Sequence, residues 1–342
     1  MERTEIKDLG EFALISKLTK NLTKNRPSTL LGVGDDAAVI DPLGKRVVVT
    51  TDMLVEGVHF DLSYVPLKHL GYKAVISNLS DVCAMNAKPT QIVIGLGVSN
   101  RFSVEALEEL YEGVKTACEL YKVDLVGGDT TTSPSGLTLA VTAIGLVDGD
   151  AVVTRGGASA GDLLVVSGDL GSAYMGLQVL EREKEVFKEA PKAQPELDGH
   201  SYIIERQLKP EARTDIVTEL SDIKVKPTSM IDISDGLASE CFHLMAASGL
   251  GVRIYEDKLP IAPKTYDTAR EFNLDPTVCI LSGGEDYELL FTISQTDFEN
   301  IRNHPKLSII GHMTEDPKEH IMVTKSGQDV ELKAQGWDPL KA

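Results

Sequence analysis

The chain has 342 residues, 42% hydrophobic and 25% charged, an ordinary composition for globular protein with room for two domains. Its formal net charge of −18 excludes the basic face of a nucleic-acid binder. No run approaches the roughly 18 apolar residues of a membrane span, so neither nucleic acid nor membrane is an expected partner. Cys83, Cys118, Cys241 and Cys279 are widely spaced without a CxxC pair. Zinc and disulfide frameworks are therefore not expected, and buried thiols in a reducing cytoplasm fit better. The opening MERTEIKDLGEF has no apolar h-region, which also points to a cytoplasmic location.

In chain order, helical spacing of Phe12, Leu14, Ile15, Leu18 and Leu22 predicts a helix over Leu9–Leu22. Strands follow at Ala37–Ile40 and Arg46–Thr51, split by the turn Asp41-Pro42-Leu43-Gly44. A helix is predicted over Leu67–Met85, a strand over Gln91–Val98, a helix over Val104–Tyr121, and strands over Asp124–Val126 and Leu137–Val147. This half reads as two long helices against a mixed or antiparallel sheet. Gly156, Gly157 and Gly161 mark a boundary. Beyond it a strand at Leu163–Ser167 and a helix near Ala173–Glu183 begin a second series. The charged, proline-containing 184–200 reads as a surface excursion without a catalytic role. Helices near 201–221, a strand at Ser229–Ile233, a helix at Gly236–Ala247 capped by Gly249, and a strand at Glu288–Ile293 follow. Two α/β domains are expected, residues 1–150 and 151–342.

Seven apolar runs end in small residues and then an acid: Asp36, Asp52, Asp81, Asp129, Asp235, Asp286 and, more weakly, Asp169. One such Asp is ordinarily a turn or cap residue. The whole set, set among Gly, Ser and Thr, suits a pocket of hard oxygen ligands for several Mg²⁺ ions. Mg²⁺ binds through a few carboxylates plus substrate phosphates, so phosphate chemistry follows. The chain has no P-loop, protein-kinase Gly-rich loop, strand–GxGxxG–helix unit or GxSxG.

The segments LGVGDDAAVI, VVTTDMLVEGVHF, ISNLSDVCAM, LVGGDTT, MIDISDGLASE and LSGGEDYELLF, in that order, resemble the thiamine-monophosphate kinase family, and the closing Gln335-Gly336-Trp337-Asp338 fits as well. The likeness runs from about Gly10 to Trp337. Pieces such as GDD and SDG also occur across the wider aminoimidazole-ribonucleotide-synthetase-like superfamily. The resemblance implies a two-domain α/β (α+β) fold of that superfamily and a homodimer joined through its N-terminal sheets. Residues 1–150 would bind ATP and Mg²⁺ and dimerise; residues 151–342 would complete the nucleotide and substrate site. The implied reaction is ATP plus thiamine monophosphate giving ADP and thiamine diphosphate, the last step of thiamine diphosphate biosynthesis.

Carried over position by position, the resemblance implies metal ligation by Asp36, Thr50, Thr51, Asp52, Asp81, Asp129, Asp232 and Asp235. It places ATP contacts at Tyr111, Gly128, Asp129, Arg155 and Ser234, and substrate contacts at His59, Glu285 and Trp337. The attacking oxygen belongs to an already anionic phosphate, so a general base is less necessary than in a sugar kinase, and no covalent nucleophile is nominated. Several side chains also have plainer readings. His59 could bond a local carbonyl, Tyr111 could be core packing, Trp337 could pin the tail, and Arg155 could be a surface residue. Two other functions compete: another superfamily enzyme such as a selenophosphate or aminoimidazole ribonucleotide synthetase, or a non-catalytic nucleotide- or metal-binding regulator. The first cysteine, Cys83, lies inside a predicted helix, which disfavours selenide chemistry.

Overall fold

The computed structural model describes residues 14, 17–20, 22–31, 39–192 and 194–333. Two compact units emerge, one of residues 1–82 and 87–150, the other of residues 83–86 and 151–342.

The first unit is built on a four-stranded sheet of β3 (Arg46–Val55), β4 (Lys88–Val98), β5 (Asp124–Thr132) and β6 (Leu137–Val147), in the order β3-β6-β4-β5. β4 and β5 run parallel and the other pairs antiparallel, so the sheet is mixed. A small hairpin of β1 (Thr29–Leu31) and β2 (Val39–Ile40) precedes it. Period-two alternation buries Leu139, Val141 and Ala143 of β6 opposite Leu96, Ile94 and Ile92 of β4. Helix α1 (Leu67–Ala84) lies against β6, where a Cβ on Gly145 would stand 2.3 Å from Val82 Cγ1. Helix α2 (Val104–Tyr121) starts at Ser103, whose hydroxyl accepts the Ala106 N–H, and it crosses α1 without side chains between the backbones. A Cβ on Gly71 would meet Leu110 O at 2.0 Å, and one on Gly113 would meet Lys68 O at 1.8 Å. Those two glycines set how closely the helices approach.

The second unit carries a seven-stranded sheet ordered β13-β12-β9-β11-β7-β10-β8. Its strands are β7 (Leu163–Ser167), β8 (Ser229–Asp232), β9 (Gly251–Tyr255), β10 (Leu289–Ile293), β11 (Leu307–Thr314), β12 (His320–Val323) and β13 (Asp329–Glu331). Only β9 and β12 pair in parallel. Every residue of β10 is buried because both faces are covered. Leu290 joins one core with α6 (Leu237–Ser248) and α8 (Pro276–Ser282), and Leu289, Phe291 and Ile293 join another with α5 (Thr214–Asp222). Helices α3 (Ser172–Glu189), α4 (Ser201–Leu208) and α7 (Pro263–Glu271) form a third cluster around Met175, Val179 and Ile203. A short α9 (Phe298–Ile301) precedes β11.

Three expectations need correction. Strand β3 continues to Val55 and β5 to Thr132, so Asp52 and Asp129 lie within strands rather than after them. Helix α3 runs to Glu189, taking in the first residues of the expected excursion, while 190–192 and 194–199 are exposed and His200 is buried. All four cysteines are buried free thiols. Among the described residues no helix is long and apolar enough to cross a membrane.

Candidate active site

Strand β3 and helix α1 bring one acidic group together in the first unit. Even-numbered residues of β3 face α1, so Thr50 Oγ1 donates to Asp81 Oδ2 at 2.6 Å. The Asp52 N–H donates to Asn78 Oδ1 at 3.0 Å, and Asn78 is itself tied to the helix through Ala74 O. Burial first, and the neighbouring Asp81 charge second, push the Asp52 carboxyl up to about 6 against a hydrogen bond from Ser77. The side chain of Thr51, one residue out of phase, turns the other way: its hydroxyl donates to Val141 O and accepts from Thr142 Oγ1, each at 3.0 Å.

Asp129 is elsewhere. It is exposed on β5, in register with Gly95, and β5 lies three strands across the sheet from β3. At the usual strand spacing that is about 14 Å. Its Oδ1 accepts the Thr130 N–H at 2.9 Å. The preceding Gly128 has a structural reason of its own, since a Cβ there would stand 2.1 Å from Ile94 O. Tyr111 belongs to the buried face of α2, and burial raises its hydroxyl to about 12. His59 is exposed in the turn after β3; its Nδ1 accepts the Val55 N–H at 3.1 Å, which places the proton on Nε2.

In the second unit the β8–β10 pair opens into two loops that stay in contact. Leu289 pairs with Asp232 at the sheet margin, and beyond it Tyr287 N–H donates to Ile233 O (2.9 Å) and Glu285 N–H to Ser234 O (2.7 Å). Asp232, Ser234, Asp235 and Glu285 therefore share one neighbourhood. Asp232 is buried. Gly284 has φ +71°, and a Cβ there would meet Ser234 O at 2.4 Å, so the SGGED run must carry glycine at this contact. Glu240, in the first turn of α6, accepts the Asp235 N–H at 3.1 Å and stands 3.5 Å from Ser234 Oγ. Burial foremost holds its carboxyl up at about 7, against the Asp235 N–H it accepts; the Asp235 charge adds, and the charge of the exposed Arg155 opposes. Arg155 thus belongs to the same neighbourhood. Asp36 and Trp337 lie outside the described residues.

Several residues of this region have no role assigned from the sequence. Glu288, 1% exposed, takes Arg206 Nη2 on Oε1 at 2.9 Å, and Arg213 Nη1 and Ser167 Oγ on Oε2 at 2.5 Å each. Asp286, equally buried, accepts the N–H groups of Gly171 (2.7 Å) and Ala173 (3.3 Å). Gln207 Nε2 donates to Glu285 Oε2 at 2.8 Å. The signal available in the sequence is slight: one arginine within a short helix, Arg206, and one just before the next, Arg213, in a strongly acidic chain. Asp169 accepts from the Ser172 hydroxyl nearby and from the Tyr202 hydroxyl of α4.

No three His, Cys, Asp or Glu side chains among the described residues are grouped so as to hold a metal ion by themselves. The donors do fit Mg²⁺, which takes one or two carboxylates and completes its shell with hydroxyl, water and phosphate oxygens. Asp52 and Asp81 beside the Thr50 hydroxyl supply such a partial shell, and a cation there would relieve their mutual repulsion.

Residues 34–147 match the AIR synthase related protein, N-terminal domain, and residues 159–324 the AIR synthase related protein, C-terminal domain. Fold and site thus define a two-domain protein of the AIR-synthase-related class. The thiamine-monophosphate kinase of Aquifex aeolicus (strain VF5) is 38% identical over 287 residues, covering 84% of this chain and 87% of its own. That of Bacillus subtilis (strain 168) is 32% identical over 342 residues, 97% of this chain and 100% of its own. A solved structure of AaThiL complexed with AMPPCP and TMP is 33% identical, covers 98% of this chain and 99% of that one, and has a TM-score of 0.73. The chain belongs to the thiamine-monophosphate kinase family, and the resemblance read from its motifs is borne out.

Proposed function

We propose that this protein transfers the γ-phosphoryl group of ATP to thiamine monophosphate, releasing ADP and thiamine diphosphate. One observation carries the reading: over nearly its whole length the chain follows AaThiL, which was solved with the ATP analogue AMPPCP and with TMP. A regulator that only bound nucleotide would not need the second ligand, and the curated relatives are named as kinases of thiamine monophosphate.

The roles are those that the family resemblance implies, although the Thr51 hydroxyl faces away from Asp52 and Tyr111 is buried. Asp36, Thr50, Thr51, Asp52, Asp81, Asp129, Asp232 and Asp235 supply oxygen ligands for Mg²⁺; Tyr111, Gly128, Asp129, Arg155 and Ser234 contact ATP; His59, Glu285 and Trp337 contact thiamine monophosphate. Residues 1–150 carry the first part of this set together with the dimer surface, and residues 151–342 the second. Two anionic phosphates approach each other in this reaction, and at 4 Å each pair of unit charges repels by about 4 kcal/mol at an effective dielectric of 20. Bound Mg²⁺ would offset that repulsion. Asp129, far across the sheet from Asp52, would serve a different ion. The acceptor phosphate is already ionised at neutral pH, so no side chain need remove a proton, and transfer is direct and in line. Arg155 adds a cation to the Ser234–Asp235 neighbourhood suited to a phosphate. The Glu285 carboxylate suits the cationic thiazolium ring.

A homodimer is part of the proposal. The outward face of β3 leaves Val47 49%, Val49 62% and Met53 57% exposed, an apolar stripe that a second copy would cover. A cytoplasmic location accords with the four free thiols. The test is ADP release by a coupled assay, with and without thiamine monophosphate. The proposal expects release only with it, matched mole for mole by thiamine diphosphate; ADP formed equally without it would show an ATPase of another kind.

A further inference from the structure

We infer that helix α4 is the positioning element for Glu285, with Gln207 the side chain that fixes its carboxylate. The inference rests on the reading of Glu285 as a substrate contact. Glu285 has φ +57° and Tyr287 φ +52°, left-handed conformations that residues with a Cβ seldom adopt. Two of them flanking one residue persist only where the surroundings over-determine the backbone, and such places cluster at functional sites.

Here the surroundings converge from four sides. Ser234 O and Ile233 O take the N–H groups of Glu285 and Tyr287. The Asp286 carboxylate is fastened by the N–H groups of Gly171 and Ala173 at the start of α3. Arg206 donates to Asp286 O at 3.4 Å and to Glu288 Oε1 at 2.9 Å. Its neighbour Gln207, buried at 5% exposure, donates to Glu285 Oε2 at 2.8 Å. Successive residues of α4 therefore hold the backbone of the loop and the side chain it presents. The chemistry of the second holder is specific. A neutral amide orients the carboxylate without cancelling its charge, whereas Arg or Lys at the same place would compete with a cationic ring. Gln207 is thus a positioning residue for recognition of the thiazolium.

The test uses the full chain: calorimetric binding of thiamine monophosphate without ATP, and KM for both substrates. Gln207→Leu is expected to weaken thiamine monophosphate binding and raise its KM on the order of tenfold, leaving KM for ATP unchanged. In a Glu285→Ala background the same substitution should add less than about twofold, because the two residues act as one unit. Gln207→Glu, which sets a like charge against Glu285, should bind poorly at pH 8 and recover towards pH 6 as the pair takes up a shared proton. Unchanged affinity in folded Gln207→Leu, or an undiminished tenfold loss in the Glu285→Ala background, overturns the inference alone. If Gln207→Leu does not fold, a Gln207→Glu variant without recovery at pH 6 overturns it. A wild-type protein that binds no thiamine monophosphate overturns the functional reading as well.

Discussion

Two acidic groups, one in each unit, are treated in opposite ways. In the first, burial foremost and then the charge of a second carboxylate, Asp81, push the Asp52 carboxyl up to about 6. In the second, Glu288 sits between Arg206 and Arg213, and Arg213 is in turn gripped by Asp215 through two bonds of 3.0 Å. Acid compensated by the protein's own guanidinium groups is architecture: it ties β10 to α4 and α5. Acid set beside acid costs stability unless something from outside supplies the positive charge, which is the property a metal-dependent phosphate site requires.

The largest effect should come from breaking the compensated cluster. Arg213→Met leaves Glu288 with one guanidinium in a buried site, and denaturant unfolding should show a loss of about 3 kcal/mol or more. A loss below about 1 kcal/mol would mean that the cluster is less structural than its burial implies. Asp52→Asn should do the reverse: folding intact or improved, but kcat reduced on the order of 100-fold or more, comparable to removal of one preorganised charge-stabilising group. Turnover within a few-fold of wild type would remove Asp52 from the site.

Acidity qualifies the contrast, because the second unit also holds carboxyls raised by burial. Burial holds the carboxyls of Glu240 and Asp286 at about 7, above their ordinary 4.5 and 3.8. Between those limits the folded chain binds more protons than the unfolded one, so stability is full below the ordinary values and is lost as pH rises through about 7. The ligand-free protein should therefore melt at a lower temperature at pH 8 than at pH 5.5, and Glu240→Gln should flatten that slope. A protein equally stable at both pH values would contradict the assignment of these carboxyls as held up by burial.

Much of the first unit was legible because local signals agreed. The helix Val104–Tyr121 has an amphipathic period and a Ser103 cap, and β6 alternates cleanly over Leu137–Val147. The sequence ends strand β5 at Val126 because Gly127-Gly128-Asp129 reads as a turn; pairing with β4 overrides that preference, and Gly128 clears Ile94 O. In the second unit the sequence pattern does not signal β9, β11, β12, β13, α7, α8 or α9. They are short, and α7 is mostly polar, with its few buried positions in Thr265, Thr268 and Ala269. Of the candidate site, the acids were legible as a recurrent motif. Arg206, Gln207 and Arg213 were not, since their partners lie 75 to 82 residues away in sequence and only the fold joins them.

The contrast is tested most directly by melting wild type and Asp52→Asn with and without Mg-ATP. At ten times its dissociation constant, a ligand that binds only the folded state stabilises it by about 1.4 kcal/mol. Wild type should show that upward shift and Asp52→Asn little of it, while Arg213→Met, if folded, keeps the wild-type increment from its lower baseline. An equal shift in wild type and Asp52→Asn would contradict the account, because the external cation would then be held without the acid assigned to it.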